Sequence, residues 1–178
     1  IRDVAVTGVQ TCALPILAPR YTNGTPAHEA LVAEDLTAAT TLLRRAVPDC
    51  DAIVLAGSFG RGEGVVADVP GPRAVNDYDL VVLGGRPTEP MTASRDEVSR
   101  TCRAEGVDVS HVDGQLAIGP SQFGYDIRAG ARVLYGAPTV LTDWGATAPG
   151  ALTTADAWYG VSNRVCGVVN ADRKSTRL

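Results

Sequence analysis

Lysine is almost missing from this chain of 178 residues: Lys174 is the only one. A P-loop lysine, a Schiff-base lysine and a lysine general base are therefore excluded from everything before it. Cysteine is sparse as well. Cys12, Cys50, Cys102 and Cys166 stand far apart, with no C-x-x-C spacing, which argues against a zinc knot or a dithiol pair. Without a secretion signal, such thiols are expected to be reduced and mostly buried, in a cytoplasmic protein. No apolar run approaches the roughly 20 residues that span a bilayer. Positive charge is short too: 16 basic against 20 acidic side chains give a net charge of −4. That is the wrong balance for binding duplex nucleic acid through counterion release.

The two ends need separate treatment. Gln10–Ile16 reads QTCALPI and Asp172–Leu178 reads DRKSTRL. One permitted coding of DRKSTRL is GAT CGG AAG AGC ACA CGT CTG, and its reverse complement, CAG ACG TGT GCT CTT CCG ATC, translates to QTCALPI. The pair resembles a sequencing adapter read through in both orientations, the alternative being a genuine apolar N-terminal strand. We expect residues 1–16 and 172–178 to be adapter-derived and exclude them from the fold. Leu17–Ala171 then holds 155 residues, with twelve basic and eighteen acidic side chains, a net −6 and no lysine. The expected organisation is a catalytic domain over 17–136, followed over 137–171 by the start of a helical region, in a piece of a longer protein.

Along the chain, Thr25-Pro26 provides an N-cap hydroxyl and a proline suited to a first turn. Val32, Leu36, Ala39, Leu43 and Ala46 recur every three or four residues, predicting a helix closed by Pro48. Ile53–Ala56 reads as a buried strand running into the glycine-rich Gly57–Gly64. A loop through Pro70-Gly71-Pro72 leads to a strand over Tyr78–Leu83, ended by Gly84-Gly85. Ser94–Glu97 has the form of a capping box for a helix reaching Glu105, stopped by Gly106. Val107–Val112 reads as a third strand, Gln122–Leu134 as helical, and Thr153 or Thr154 as the start of a last helix carrying Trp158, Val161, Val165 and Val168. Helices and strands in this order predict an α/β (α+β) domain, a small mixed sheet with flanking helices. Trp144 and Trp158 are expected in the core or at a domain contact, and His28, Arg44 and Arg45 on the solvated surface.

Three features carry chemistry. Asp77 and Asp79 flank Tyr78 where the chain enters a strand, and side chains at i and i+2 share a face. Two carboxylates so close favour a cation between them, Mg²⁺ above all; the alternative is a solvated pair of loop acids. Gly57-Ser58 directly follows a strand, where exposed N–H groups bind phosphate oxygens, and Arg61 adds a planar cationic fork; the alternative is a tight turn. Asp108 lies between Val107 and Val109, where a buried charge needs a partner; the alternative is an outward-facing acid. His111 is either a strand-end structural residue or an orienter of a metal-side acid, and Glu63 is left without a role.

Gly57-Ser58, Arg61-Gly62, Asn76-Asp77-Tyr78-Asp79-Leu80-Val81-Val82 and Val107-Asp108-Val109 together resemble the DNA polymerase beta-like nucleotidyltransferase superfamily, over about Leu31 to Val112. The eighteen residues between Ser58 and Asp77 form a longer gap than that family usually has, and are similar to a subgroup carrying G-R-G-E-G before N-D-Y-D. That subgroup also has a later segment like Tyr125-Asp126-Ile127 through Arg132–Gly136, in which Asp126 is read as structural. The resemblance implies a nucleotidyltransferase-like core, with Asp77, Asp79 and Asp108 as catalytic metal ligands for two Mg²⁺ ions, or Mn²⁺. Gly57, Ser58 and Arg61 would hold a nucleoside triphosphate. It further implies transfer of a nucleoside monophosphate to a small-molecule or protein hydroxyl with release of pyrophosphate. Two other functions fit the same residues: a catalytically silent nucleotide-binding or antitoxin-partner module, and a metal-dependent phosphohydrolase.

Overall fold

The computed structural model describes residues 20–68, 70–113, 130–143 and 153–156, with Gly124, Ile127, Trp158 and Ser162 individually. Helix α1 (Pro26–Ala46) comes first, followed by β1 (Ala52–Ala56), the short helix α2 (Gly57–Arg61) and a small hairpin of β2 (Val66–Ala67) and β3 (Arg73–Ala74). Then come β4 (Tyr78–Leu83), α3 (Met91–Thr101), β5 (Val107–Val112), β6 (Arg132–Tyr135) and a helical turn over Val140–Asp143. The main sheet has the order β5-β4-β1-β6. β1 runs antiparallel to β4 and β6, and β4 runs parallel to β5. The sheet is thus mixed, with helices against it, as the alternation of elements predicts.

The sheet has apolar side chains on both faces. β1 (AIVLA) is buried along its length. Ile53, Leu55, Tyr78, Leu80 and Val82 face a core completed by Leu31, Val32, Leu36 and Leu43 of α1 and Val98 of α3. Val54, Val81 and Leu83 face a smaller core with Ile127 and Val140. A parallel pair needs a crossover rather than a hairpin, and α3 is that crossover between β4 and β5.

The start of α1 is fixed by polar contacts. Thr25 Oγ1 accepts from the His28 N–H (3.3 Å), while His28 Nδ1 accepts from the Thr25 N–H (3.4 Å). His28 Nε2 also lies 2.9 Å from Asp68 Oδ1, so this half-buried histidine is a capping residue tied to the hairpin loop rather than a plain surface group. At the other end, the Arg44 guanidinium lies 4.2 Å from the centroid of the Tyr135 ring, and Arg45 Nη2 donates to both carboxylate oxygens of Glu97 (2.7 and 2.8 Å). The helix end expected to be merely solvated therefore touches β6 and α3.

Several expectations are corrected. α3 starts at Met91, after Pro90, and ends at Thr101; Ser94 lies inside it, buried, with its hydroxyl 3.3 Å from Glu89 Oε1. Proline with its preset φ begins the helix, so Ser94 is not an N-cap. The stretch expected to be helical to Leu134 changes type before that, because Arg132–Tyr135 pairs with β1 as an edge strand. The loop before Asn76 contains the β2–β3 hairpin. Trp158 is 67% exposed, not in the core. Trp144 and Asp126, and most of the last predicted helix, lie outside the described residues. Cys50 and Cys102 are free and buried, as expected.

Glu29, in the first turn of α1, anchors the chain that leads into it. Its carboxylate accepts from the N–H of Tyr21 (2.8 Å) and from the N–H and hydroxyl of Thr22 (2.6 and 2.7 Å). Partial burial pushes its pKa up, but these bonds and the nearby Arg20 charge outweigh it and hold the group below its ordinary value. A lowered carboxylate pKa stabilises the fold above the unfolded value and loses that contribution as the pH falls through the folded one. Urea titrations from pH 7 down to pH 3 are therefore expected to show wild type losing stability below about pH 4.3 more steeply than Glu29→Gln.

Candidate functional site

A cavity of about 340 Å³ opens at the carboxyl end of β1, against β4 and β5, and its wall includes Gly57, Arg61, Asp79, Asp108, Ser110 and Ile127. Strand geometry assembles it. Asp79 is the register partner of both Ala56, across the antiparallel pair, and Asp108, across the parallel pair. Matched positions of neighbouring strands share a face, so Asp79 and Asp108 stand side by side on the face opposite α3. Asp79 is half-buried and Asp108 exposed. The burial cost expected for Asp108 does not arise, and its place opposite Asp79 is what ties it to the site.

The turn after β1 shapes the other wall. Gly57 has φ +65°, a conformation that side chains other than glycine seldom adopt. A Cβ there would also collide with Asp79 Oδ2. Glycine is therefore what allows the backbone of α2 and the Asp79 carboxylate to lie against each other. Phe59 and Gly60 are buried and seat the five-residue helix on the core. Arg61 reaches the cavity wall with its stem against Gly130 and its Nε 2.9 Å from Glu63 Oε2. Glu63, without a role in the sequence, is thus the ion-pair partner of Arg61. Arg132 crosses from β6 to donate through Nε to the Gly60 carbonyl (2.8 Å) and through Nη2 to that of Arg20.

Not every expected residue joins the cavity. Ser58 is half-buried on α2 beside Gly57 but is not in the wall. Asp77 is exposed in the turn before β4, fitted against Gly106, whose missing side chain makes room for it. Gly106 thus serves Asp77 rather than a helix end. Among the described residues, no group of three or more His, Cys, Asp or Glu side chains is placed to hold a metal ion. His111 pairs in register with Val82, on the other face of the sheet, and its Nε2 lies 3.1 Å from the Gly84 carbonyl; it does not orient a cavity acid. As a donor set, the Asp79–Asp108 pair suits a hard cation. Mg²⁺ is usually held by one or two carboxylates and completed by substrate phosphates and water, so the pair fits one such ion.

The sequence reading missed a buried polar cluster behind the cavity. Asp35, 3% exposed, accepts from the Arg103 N–H (2.8 Å), Arg103 Nε (2.9 Å) and the Tyr78 hydroxyl (3.3 Å). Its signal was available: Asp35 falls between Val32 and Leu36 on the apolar stripe of α1, where a charge needs partners. Burial first, and then the Asp35 charge, raise the Tyr78 hydroxyl pKa and push the Cys102 thiol up to about 12. Cys102 therefore stays a protonated, unreactive thiol at neutral pH.

No family model matches the chain and no curated protein does. Among solved structures, it is similar to the toxin-antitoxin MntA-HepT, with TM-score 0.42 and 12% identity over 79% of this chain and 98% of that one. It is also similar to a toxin-antitoxin with AMP-PNP, with TM-score 0.40 and 14% identity over 78% and 98%. A third similarity is to the tri-AMPylated Shewanella oneidensis HEPN toxin in complex with MNT antitoxin, with TM-score 0.39 and 14% identity over 79% and 98%.

Gly57→Ala is expected to lower stability by roughly 1–3 kcal/mol, from the left-handed backbone and the displaced Asp79 carboxylate together. A melt of this variant beside Gly71→Ala, where an added Cβ meets open space, would show the loss at residue 57 only.

Proposed function

We propose that this chain is a nucleotidyltransferase that moves a nucleoside monophosphate from a nucleoside triphosphate to an acceptor hydroxyl, on a small molecule or a protein, with release of pyrophosphate. The observation that carries this reading is the register pair Asp79–Asp108 in one cavity with Gly57 and Arg61. Two carboxylates in a concave site, with a cationic fork and a glycine turn opposite, are the charges a triphosphate and a divalent ion require.

Each residue then has a physical task. Asp79 and Asp108 would hold Mg²⁺, with Asp77 as a further ligand in the reading from the resemblance. When bound, the ion neutralises phosphate charge and makes an acceptor hydroxyl more acidic. Gly57 lets a phosphate approach the backbone closely and Arg61 neutralises negative charge on the departing pyrophosphate, while Ser58, outside the cavity wall, would add a hydroxyl donor only as the resemblance implies. Asp108, exposed at the cavity wall, would take the proton of an entering acceptor hydroxyl. The hydroxyl oxygen forms a bond to the α-phosphorus, the bond from that phosphorus to the bridging oxygen breaks, and its electrons leave with pyrophosphate. Positioning and charge account for most of such a reaction, so the absence of lysine is no obstacle. The chain divides accordingly, with catalysis over 17–136 and acceptor choice in the region beyond residue 136.

A second reading, a catalytically silent nucleotide-binding module, is favoured by one observation: Asp77 stands beside Gly106 rather than in the cavity wall.

Incubation with labelled ATP, CTP, GTP and UTP plus Mg²⁺ decides between them. Pyrophosphate release is expected from wild type, falling about 10²-fold or more in Asp79→Asn and Asp108→Asn. Triphosphate binding without pyrophosphate release supports the silent module, and release of inorganic phosphate supports a phosphohydrolase.

A further inference from the structure

Tyr78 is the first residue of β4, immediately before the cavity residue Asp79. It lies between Asp77 and Asp79, and the strand pleat sends its ring to the face opposite the Asp79 carboxylate. There the ring is fully buried and meets Phe59 edge-on, with centroids 4.8 Å apart and planes at 68°. Phe59 belongs to α2, between Gly57 and Arg61. A single ring therefore touches the element that carries Gly57 and Arg61 and is the chain neighbour of Asp79.

Apolar packing alone is weakly directional. A directional constraint on the depth and rotation of this ring comes from its hydroxyl, which donates to Asp35 Oδ2 at 3.3 Å. Asp35 is itself clamped by the backbone N–H and Nε of Arg103, at 2.8 and 2.9 Å. Arg103 is held in turn by the Leu31 carbonyl (3.2 Å), the Glu34 carboxylate (2.9 Å) and the Ala74 N–H, which donates to its carbonyl (2.7 Å). A buried carboxylate is a poor source of stability compared with an apolar side chain of the same size. An arrangement with so many directional bonds is better suited to setting a position.

We propose that Asp35 and Tyr78 are positioning residues, which through Phe59 set the Gly57–Arg61 turn at its working distance from Asp79. The inference rests on the transferase reading of the cavity. Neither residue lies in the cavity wall, so both act through others.

The test is Tyr78→Phe in the full chain, which removes one hydroxyl and keeps the ring. Three quantities are measured: the thermal midpoint, amide hydrogen exchange, and steady-state pyrophosphate release. The expected midpoint shift is under about 8 °C. Exchange over residues 57–61 is expected to quicken about fivefold or more while the middle of α1 changes less than about twofold. With them, kcat is expected to fall about tenfold at a nearly unchanged KM. Exchange over 57–61 that is unchanged, or quickened evenly along the chain, overturns the proposal. So does a quickened turn with kcat and KM both unchanged. If Tyr78→Phe does not fold, Phe59→Leu, which keeps bulk but loses the ring edge, is read by the same criteria. A wild type that releases no pyrophosphate overturns the transferase reading alone, and the exchange pattern then decides the positioning.

Discussion

Two strands that run parallel and in register place matched residues on a common face, and here that rule sets two carboxylates next to each other. β4 and β5 are joined by α3, and a crossover of that kind covers one face of the sheet only. The face α3 leaves uncovered is the one on which Asp79 and Asp108 meet. β1, antiparallel to β4, brings its last residue to the same level and then turns at once into α2. The cavity is therefore a product of sheet register: shifting β5 by one residue would send Asp108 to the helix side.

Behind that arrangement lies a second, polar one. Asp35 and Arg103 come from α1 and from the segment between α3 and β5, 68 residues apart in sequence. Their contact ties the two helices on one face to the start of β4. Such a pair is costly to bury unless fully bonded, and here Asp35 has both its oxygens engaged. Cys102, next to it, is a quiet member of this cluster, its thiol held in the protonated form.

Much of this was legible in the residues and some was not. α1 could be read from its stripe because an apolar face repeats every three or four residues, β4 because it is a short, mostly apolar run ended by Gly84-Gly85, and β5 because valines alternate with polar residues after Gly106. The types and order of Gly57 and Asp79 point to one shared site, and the two do lie against each other in one cavity. The pairing of Asp79 with Asp108 is a matter of register, which a sequence does not state. Asp77 shows the limit of counting by twos: it precedes the first residue of β4, so the i and i+2 rule does not bind it. Ser94 misled because a serine followed by Glu97 has the form of a cap, whereas Pro90 had already started the helix. Arg132–Leu134 misled as the tail of a longer helix, although Val133 suits a strand and the edge of β1 is there to pair with it.

Among the described residues β5 is the outermost strand of the sheet on its side, and the outer backbone groups of such a strand are a template on which strands of other molecules tend to add. Proteins commonly blunt such borders with charge. Asp108 and Ser110 occupy the exposed positions of β5, so the acid in the cavity wall also puts charge beside this border. Neutralising it would take that charge away, so self-association would rise whatever part the acid has in the cavity.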